Sequence, residues 1–223
     1  YAEMNFPTGH PQFLGMIDLT FPDGRSILSD ADVILVIGAS AFPGFFYIPG
    51  RNLPKDARLI HVDSSSNEVG KSEPTEVGIV ADPKTAVDQI VEAVESSMSG
   101  LAKVGVSNRI DSLRSHKIRA EHEFQISVNQ SENARPMSPY IMMREVSKYL
   151  PADVIIADDS ITSRGAIHSA MEFNEPGSIY SERGGAIGWG IGSAMGIKLA
   201  HPHRPVVGIV GDGSAMMTVQ GLW

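Results

Sequence analysis

Val206-Val207-Gly208-Ile209-Val210-Gly211-Asp212-Gly213-Ser214 is an aliphatic run that ends abruptly in Gly-Asp-Gly-Ser. The run reads as a strand, and a helix is expected from Ala215 through Trp223. In a parallel sheet, ligands bind at the carboxyl ends of the strands. A tight turn there points the Asp212 carboxylate into the crevice, and the flanking glycines leave room for a ligand to approach the backbone. Ser214 and the first amides of the next helix can hold an anion. An acid beside free amides suits a divalent metal bound to a phosphate, because Mg²⁺ takes one or two carboxylates plus phosphate oxygens and water. The competing reading is that Asp212 only caps the helix.

Working upstream, glycine is concentrated in the same region: eleven of the 22 glycines lie between Gly177 and Gly221. The stretch Glu182-Arg183-Gly184-Gly185-Ala186-Ile187-Gly188-Trp189-Gly190-Ile191-Gly192 leads into a helix expected from Ile187 to Ala200. Its small residues on several faces call for another element packed very close. Ile187 lies 25 residues before Asp212, a spacing that returns to the same end of the sheet in a βαβ unit. Farther upstream, Ser138-Pro139 opens a helix through Tyr149, Val154 to Asp158 is a strand, residues 163 to 172 are helical, and Ser178 to Tyr180 is a short strand. Asp158 and Asp159 are paired carboxylates at a strand end. They read either as acid and base or as turn and capping groups.

The first half has the same style. Val33 to Ile37 is an unbroken aliphatic run that suits a strand buried on both faces. Arg58 to Asp63 and Val77 to Val80 are two more strands. Asp82-Pro83 opens a helix with Asp82 as N-cap, and Ala86, Ile90, Val91 and Val94 recur at helical spacing. Residues 96 to 108 read as a linker of small and polar residues. Arg109 to Gln125 carries seven charged residues on a helical pattern and reads as a solvated connecting helix. Strands alternating with helices imply parallel sheets. The fold class is α/β, with two parallel-sheet units. The boundaries are 1–100, then a linker and connecting helix over 101–134, then 135–223, where the second unit reads as cut at its C-terminal end.

Composition narrows the class. Apolar residues make up 42% of the 223, enough for a core and too many for a disordered chain. The formal charge is −8 and the pI about 5.3, against the basic face of a nucleic-acid binder. Cysteine is absent, which excludes a disulfide framework and any thiolate metal site. No run is long and apolar enough to span a membrane, and no secretory signal pattern opens the chain. A cytoplasmic protein is expected.

The glycine segment, the spacing and the Gly-Asp-Gly-Ser together resemble the thiamine-diphosphate-dependent decarboxylase and carboligase family. Phe6 to Pro11, Ala31 to Gly38, Tyr47-Ile48-Pro49-Gly50 and Leu59 to Asp63 resemble that family's central domain. The resemblance implies thiamine diphosphate and Mg²⁺ as cofactors, with Asp212 as the metal ligand and Gly213 and Ser214 on the diphosphate. It implies a second diphosphate contact at Thr162, within Asp159-Ser160-Ile161-Thr162-Ser163. It implies that Gly185 offers its carbonyl to the aminopyrimidine and that Ile187 props the bent cofactor from below. The pattern is nearest that of benzoylformate decarboxylase, so a small-molecule 2-oxo acid is the expected substrate. Acetolactate synthase-like carboligation is the alternative within the family, because Phe45 stands where the decarboxylase carries a catalytic His. The family's Glu, which activates the cofactor, falls in a domain before Tyr1, and its closing Asn pair falls beyond Trp223. On that reading the chain is the interior of a longer protein, inactive alone, whose parent is a homodimer or homotetramer.

Other motifs fall short. Gly70-Lys71-Ser72 lacks the leading Gly of a phosphate loop, since position 65 is Ser. Gly188 to Ser193 ends in Ser where a dinucleotide fingerprint needs Gly or Ala. A non-catalytic nucleotide- or dinucleotide-binding module centred near Gly38 and Asp63, with FAD or NAD as its ligand, remains the alternative from another class. His10, His61, His168, His201 and His203 lack metal-ligand spacing.

Overall fold

The computed structural model describes residues 4–17, 22–40, 53–182 and 184–223. It divides into two compact units, one of residues 16–108 and one joining residues 1–15 to 109–223.

In the first unit, a short helix α1 (Pro22–Ile27) precedes strand β1 (Val33–Ile37), followed by β2 (Arg58–Asp63), β3 (Val77–Val80) and helix α2 (Pro83–Ser97). The strands form a parallel sheet in the order β1-β2-β3. The central strand carries this unit's most deeply buried residues: Leu59, His61 and Val62 are fully buried. Asp82 caps α2 as its sequence requires, its Oδ1 accepting from the Thr85 amide at 2.9 Å. β1 departs from the expected strand buried on both faces. It is an edge strand, and its alternate residues Val33 and Leu35 are 39% and 42% exposed. The segment 41–52, which contains Phe45 and Tyr47 to Gly50, lies outside the described residues.

Helix α3 (Gly100–Gln130) replaces the expected linker over 96–108. The connection between α2 and α3 is confined to Met98-Ser99, where the Ser99 hydroxyl accepts from the Ala102 amide at 3.2 Å. Small residues there resemble a linker in composition, yet Leu101, Ala102 and Lys103 are good helix formers. The helix is exposed along most of its length, and Val128 is buried.

The second unit continues with α4 (Pro139–Ser147), β4 (Ile155–Asp159), α5 (Arg164–Ala170), β5 (Ile179–Ser181), α6 (Gly190–Ala200), β6 (Val206–Val210) and α7 (Asp212–Met217). Its strands are parallel in the order β5-β4-β6. Helix α7 starts three residues earlier than expected and ends at Met217, and a 3-10 turn follows over Val219–Leu222. Successive side chains of a strand face opposite ways. Val154, Ile156 and Ile179 accordingly pack with Met143, Ala166, Ile167 and Phe173 from the α4 and α5 side. β4 is buried at every position.

Residues 4–15 belong to this second unit, although they precede the first unit in sequence. The Thr8 amide donates to the Phe173 carbonyl at 3.0 Å, and the Phe173 amide donates back to the Thr8 hydroxyl at 2.7 Å. Lys117 donates to the carbonyls of Thr8 and His10 at 2.9 and 3.0 Å.

Candidate functional site

The order β5-β4-β6 makes the site. The chain leaves β4 for β5 on one side, then returns across to β6 on the other. The crevice between β4 and β6 is therefore a topological switch point, where doubly wound sheets bind ligands at their carboxyl ends. Asp159 closes β4 and Gly211-Asp212 follows β6, so both stand at this point. The Gly211 amide donates to the Asp159 carbonyl at 3.0 Å, which fastens the turn to the strand end.

Asp212 is exposed. Its Oδ1 accepts from the Gly213 amide at 2.9 Å. Its other oxygen has no hydrogen-bond partner among the described residues. Gly213 is open: a Cβ placed there would meet nothing within 4 Å. Ser214 differs from both, being 5% exposed and packed inward. The N-cap of α7 is Gly211, not Asp212, and no side chain caps that helix. A pure capping role for Asp212 is thereby replaced by a carboxylate at the first helical position.

Thr162 lies exposed in the turn between β4 and α5. Gly185 and Ile187 lie in the segment between β5 and α6. Gly185 has φ +76°, and Ile187 is 40% exposed. All six predicted residues thus fall in loops or first turns at the carboxyl edge of one sheet. Arg183 lies outside the described residues.

The adjacent carboxylates Asp158 and Asp159 are buried and hydrogen-bonded, Asp158 in the expected turn and Asp159 to the glycine segment, which favours a structural role over the acid-and-base reading. Asp158 Oδ1 accepts from the Ser160 amide and hydroxyl at 2.9 and 2.6 Å. Its Oδ2 accepts from Arg164 Nε at 3.0 Å. Arg164 also makes a two-pronged pair with Glu182. Burial alone lowers the pKa of the Arg164 guanidinium, but Glu182 and Asp158 outweigh it and hold the pKa above its ordinary value. Asp159 Oδ2 accepts from the amides of Gly188 and Gly190 at 3.0 and 2.9 Å.

The expected close packing of the glycine-rich helix is met at one end. A Cβ on Gly190 would stand 2.5 Å from Asp159 Cβ and 2.9 Å from Val210 Cγ2, whereas one on Gly192 or Gly196 would meet nothing within 4 Å. Gly188, at φ +89°, is held from the other side by the Thr218 hydroxyl, which donates to its carbonyl at 2.7 Å. Arg164, Glu182 and Thr218 carry no motif, so sequence reasoning passed over them. A usable signal was Asp158-x-Ser160, which permits a side chain to accept from the backbone two residues on.

No group of three or more His, Asp or Glu side chains suited to a metal occurs among the described residues. A single carboxylate with a spare oxygen is the donor set Mg²⁺ uses when phosphate and water complete its shell.

Two family models match the chain: "Thiamine pyrophosphate enzyme, central domain" over residues 1–90 and "Thiamine pyrophosphate enzyme, C-terminal TPP binding domain" over residues 162–223. Benzoylformate decarboxylase of Pseudomonas aeruginosa is 29% identical over 218 residues, covering 98% of this chain and 38% of the relative. Sulfoacetaldehyde acetyltransferase of Roseovarius nubinhibens is 31% identical over 234 residues, covering 97% of this chain and 38% of the relative. A solved structure, the thiamine diphosphate-dependent 4-hydroxybenzoylformate decarboxylase of Rhodococcus jostii RHA1, superimposes with a TM-score of 0.70 at 26% identity, covering all of this chain and 38% of that one. The chain thus spans about 38% of the length of the relatives it matches.

Proposed function

Since the chain belongs to the thiamine pyrophosphate enzyme family, we propose that it forms the central domain and part of the diphosphate site of a Mg²⁺- and thiamine-diphosphate-dependent 2-oxo acid decarboxylase. The observation that carries this reading is Asp212: an exposed carboxylate with an uncommitted oxygen, beside the open backbone of Gly213, at the β4/β6 switch point. The residues fit the cofactor in kind. Asp212 holds the metal, while the Thr162 hydroxyl and the Gly213 backbone contact the diphosphate. Ser214, though buried, contributes from the same turn. Gly185 offers a carbonyl to the aminopyrimidine, and Ile187 supports the cofactor with apolar surface. When bound, thiamine diphosphate supplies the electron sink that stabilises the carbanion left when a bond beside a carbonyl breaks. Asp158 and Asp159, buried and held by Arg164 and by the glycine amides, move no proton in this scheme. The parent protein assembles as a homodimer or homotetramer and works in the cytoplasm on a small-molecule substrate. No helix among the described residues is long and apolar enough to cross a membrane.

A second reading, acyl transfer or carboligation, draws on one specific observation: the acetyltransferase of Roseovarius nubinhibens is 31% identical to this chain.

Calorimetric titration of the full-length protein tests the proposal. Thiamine diphosphate binds in the presence of Mg²⁺, and neither EDTA-treated wild type nor Asp212→Ala binds it. Unchanged binding by Asp212→Ala overturns the assignment. Product analysis with an aryl 2-oxo acid separates the two chemistries, since decarboxylation releases the aldehyde and carboligation yields a 2-hydroxyketone.

A further inference from the structure

We infer that Asp159 is the positioning residue of this site, fixing the glycine segment and the Gly211-Asp212 turn relative to each other. The inference rests on the thiamine-diphosphate reading and adds to it a residue that itself touches no cofactor.

The geometry is specific. Asp159 is 2% exposed at the last position of β4, the central strand. One of its carboxylate oxygens, Oδ2, takes two backbone amides, Gly188 and Gly190, at 3.0 and 2.9 Å. Its own carbonyl takes a third, Gly211, at 3.0 Å. One residue therefore holds the segment carrying Gly185 and Ile187 and, through its backbone, the turn carrying Asp212. A loop with three glycines at positive φ, Gly184, Gly185 and Gly188, has no intrinsic preference for one conformation. An anchor is needed to select one. The amides so anchored are buried, and buried amides without a partner are costly. Close packing completes the arrangement, since Gly190 admits no Cβ against Asp159.

A carboxylate used in this way differs from one that stabilises the domain in general. Removing it frees the glycine segment locally, while the sheet, packed through Ile155, Ile156 and Ala157, keeps its core. Asn offers a carbonyl oxygen with two lone pairs and can accept both amides. Ala cannot.

Hydrogen exchange and calorimetry on the full-length protein test the inference. In cofactor-free Asp159→Ala, exchange accelerates over residues 184–190, while β4 and β6 stay protected. Affinity for thiamine diphosphate with Mg²⁺ falls at least tenfold, and Asp159→Asn recovers most of both properties. Wild-type affinity in Asp159→Ala overturns the inference. So does loss of protection throughout the second unit, which would make Asp159 a residue of general stability. So too does an Asn variant as impaired as the Ala one. Failure of the wild-type protein to bind thiamine diphosphate would instead overturn the proposed function, and the exchange pattern would still report whether Asp159 orders the segment.

Discussion

Arg164 donates through Nε to Oδ2 of Asp158 at 3.0 Å, and the Asp158 side chain is wholly buried. The pair ties the first turn of α5 to the end of β4, just beside Thr162. Replacing Arg164 with Met leaves a buried carboxylate without its counter-charge. Breaking a buried pair from one side costs about 3–5 kcal/mol. Urea denaturation should show that loss, and Asp158→Asn in the Met background should recover part of it. A loss below 1 kcal/mol would mean that solvent reaches Asp158.

Gly190 and Gly196 sit on the same helix and should respond oppositely to alanine. At Gly190 the added methyl meets Asp159 and Val210 at 2.5 and 2.9 Å. Overpacking of this kind costs about 1–3 kcal/mol. At Gly196 a methyl meets nothing, and alanine in a helix gains about 0.5–1 kcal/mol over glycine. Thermal melts of the two variants should move in opposite directions.

His168 links stability to pH. Burial beside Phe173 is the main cause lowering its pKa. The nearby Asp158 opposes the shift, and Arg164 adds to it. The unfolded chain titrates this group near about pH 6.5. Because the folded pKa is lower, the unfolded state binds the proton first. The contribution is present above about pH 6.5 and is lost as pH falls toward the folded value. Denaturation midpoints measured from pH 8 to pH 5 should decline on the acid side, and His168→Leu should flatten that part of the decline.

Lys117 is a charged tether of the N-terminal segment. It donates to two carbonyls, lies over the Phe13 ring with its Nζ 5.9 Å from the centroid, and pairs with Glu121 at 3.6 Å. Hydrogen bonds from a charged donor contribute about 1.5–3 kcal/mol. Lys117→Met should expose residues 4–15 to limited proteolysis while the sheet stays resistant. Equal resistance in wild type and variant would show that Thr8, Gly9 and Phe173 hold the segment unaided.

Strands were the most legible part of this chain, because aliphatic runs such as Val206 to Val210 bounded by Gly or Asp have few other uses. Pro83 and Pro139 likewise marked two helix starts at their first positions. What escaped were features set by distant partners. The division at residue 15 depends on Thr8 meeting Phe173, 165 residues away. The exposure of Val33 and Leu35 depends on β1 lying at a sheet edge, which composition does not encode. At the site, Gly-Asp-Gly-Ser was visible because its spacing is local. The distant partners of Asp158 and Asp159 were not, because they come from α5, the last residue of β5, and the segment leading into and opening α6.

Those two adjacent acids have one more effect. β4 is buried on both faces, so sliding it by one residue would exchange one aliphatic surface for another with little penalty from hydrophobicity. The slip would, however, fill only one of the two acid positions: one way Ala157 would face the Arg164 guanidinium, and the other way Ser160 would face the glycine amides. A strand whose oily part is ambiguous thus carries its alignment check at its charged end, and a misaligned sheet is rejected at its carboxyl edge.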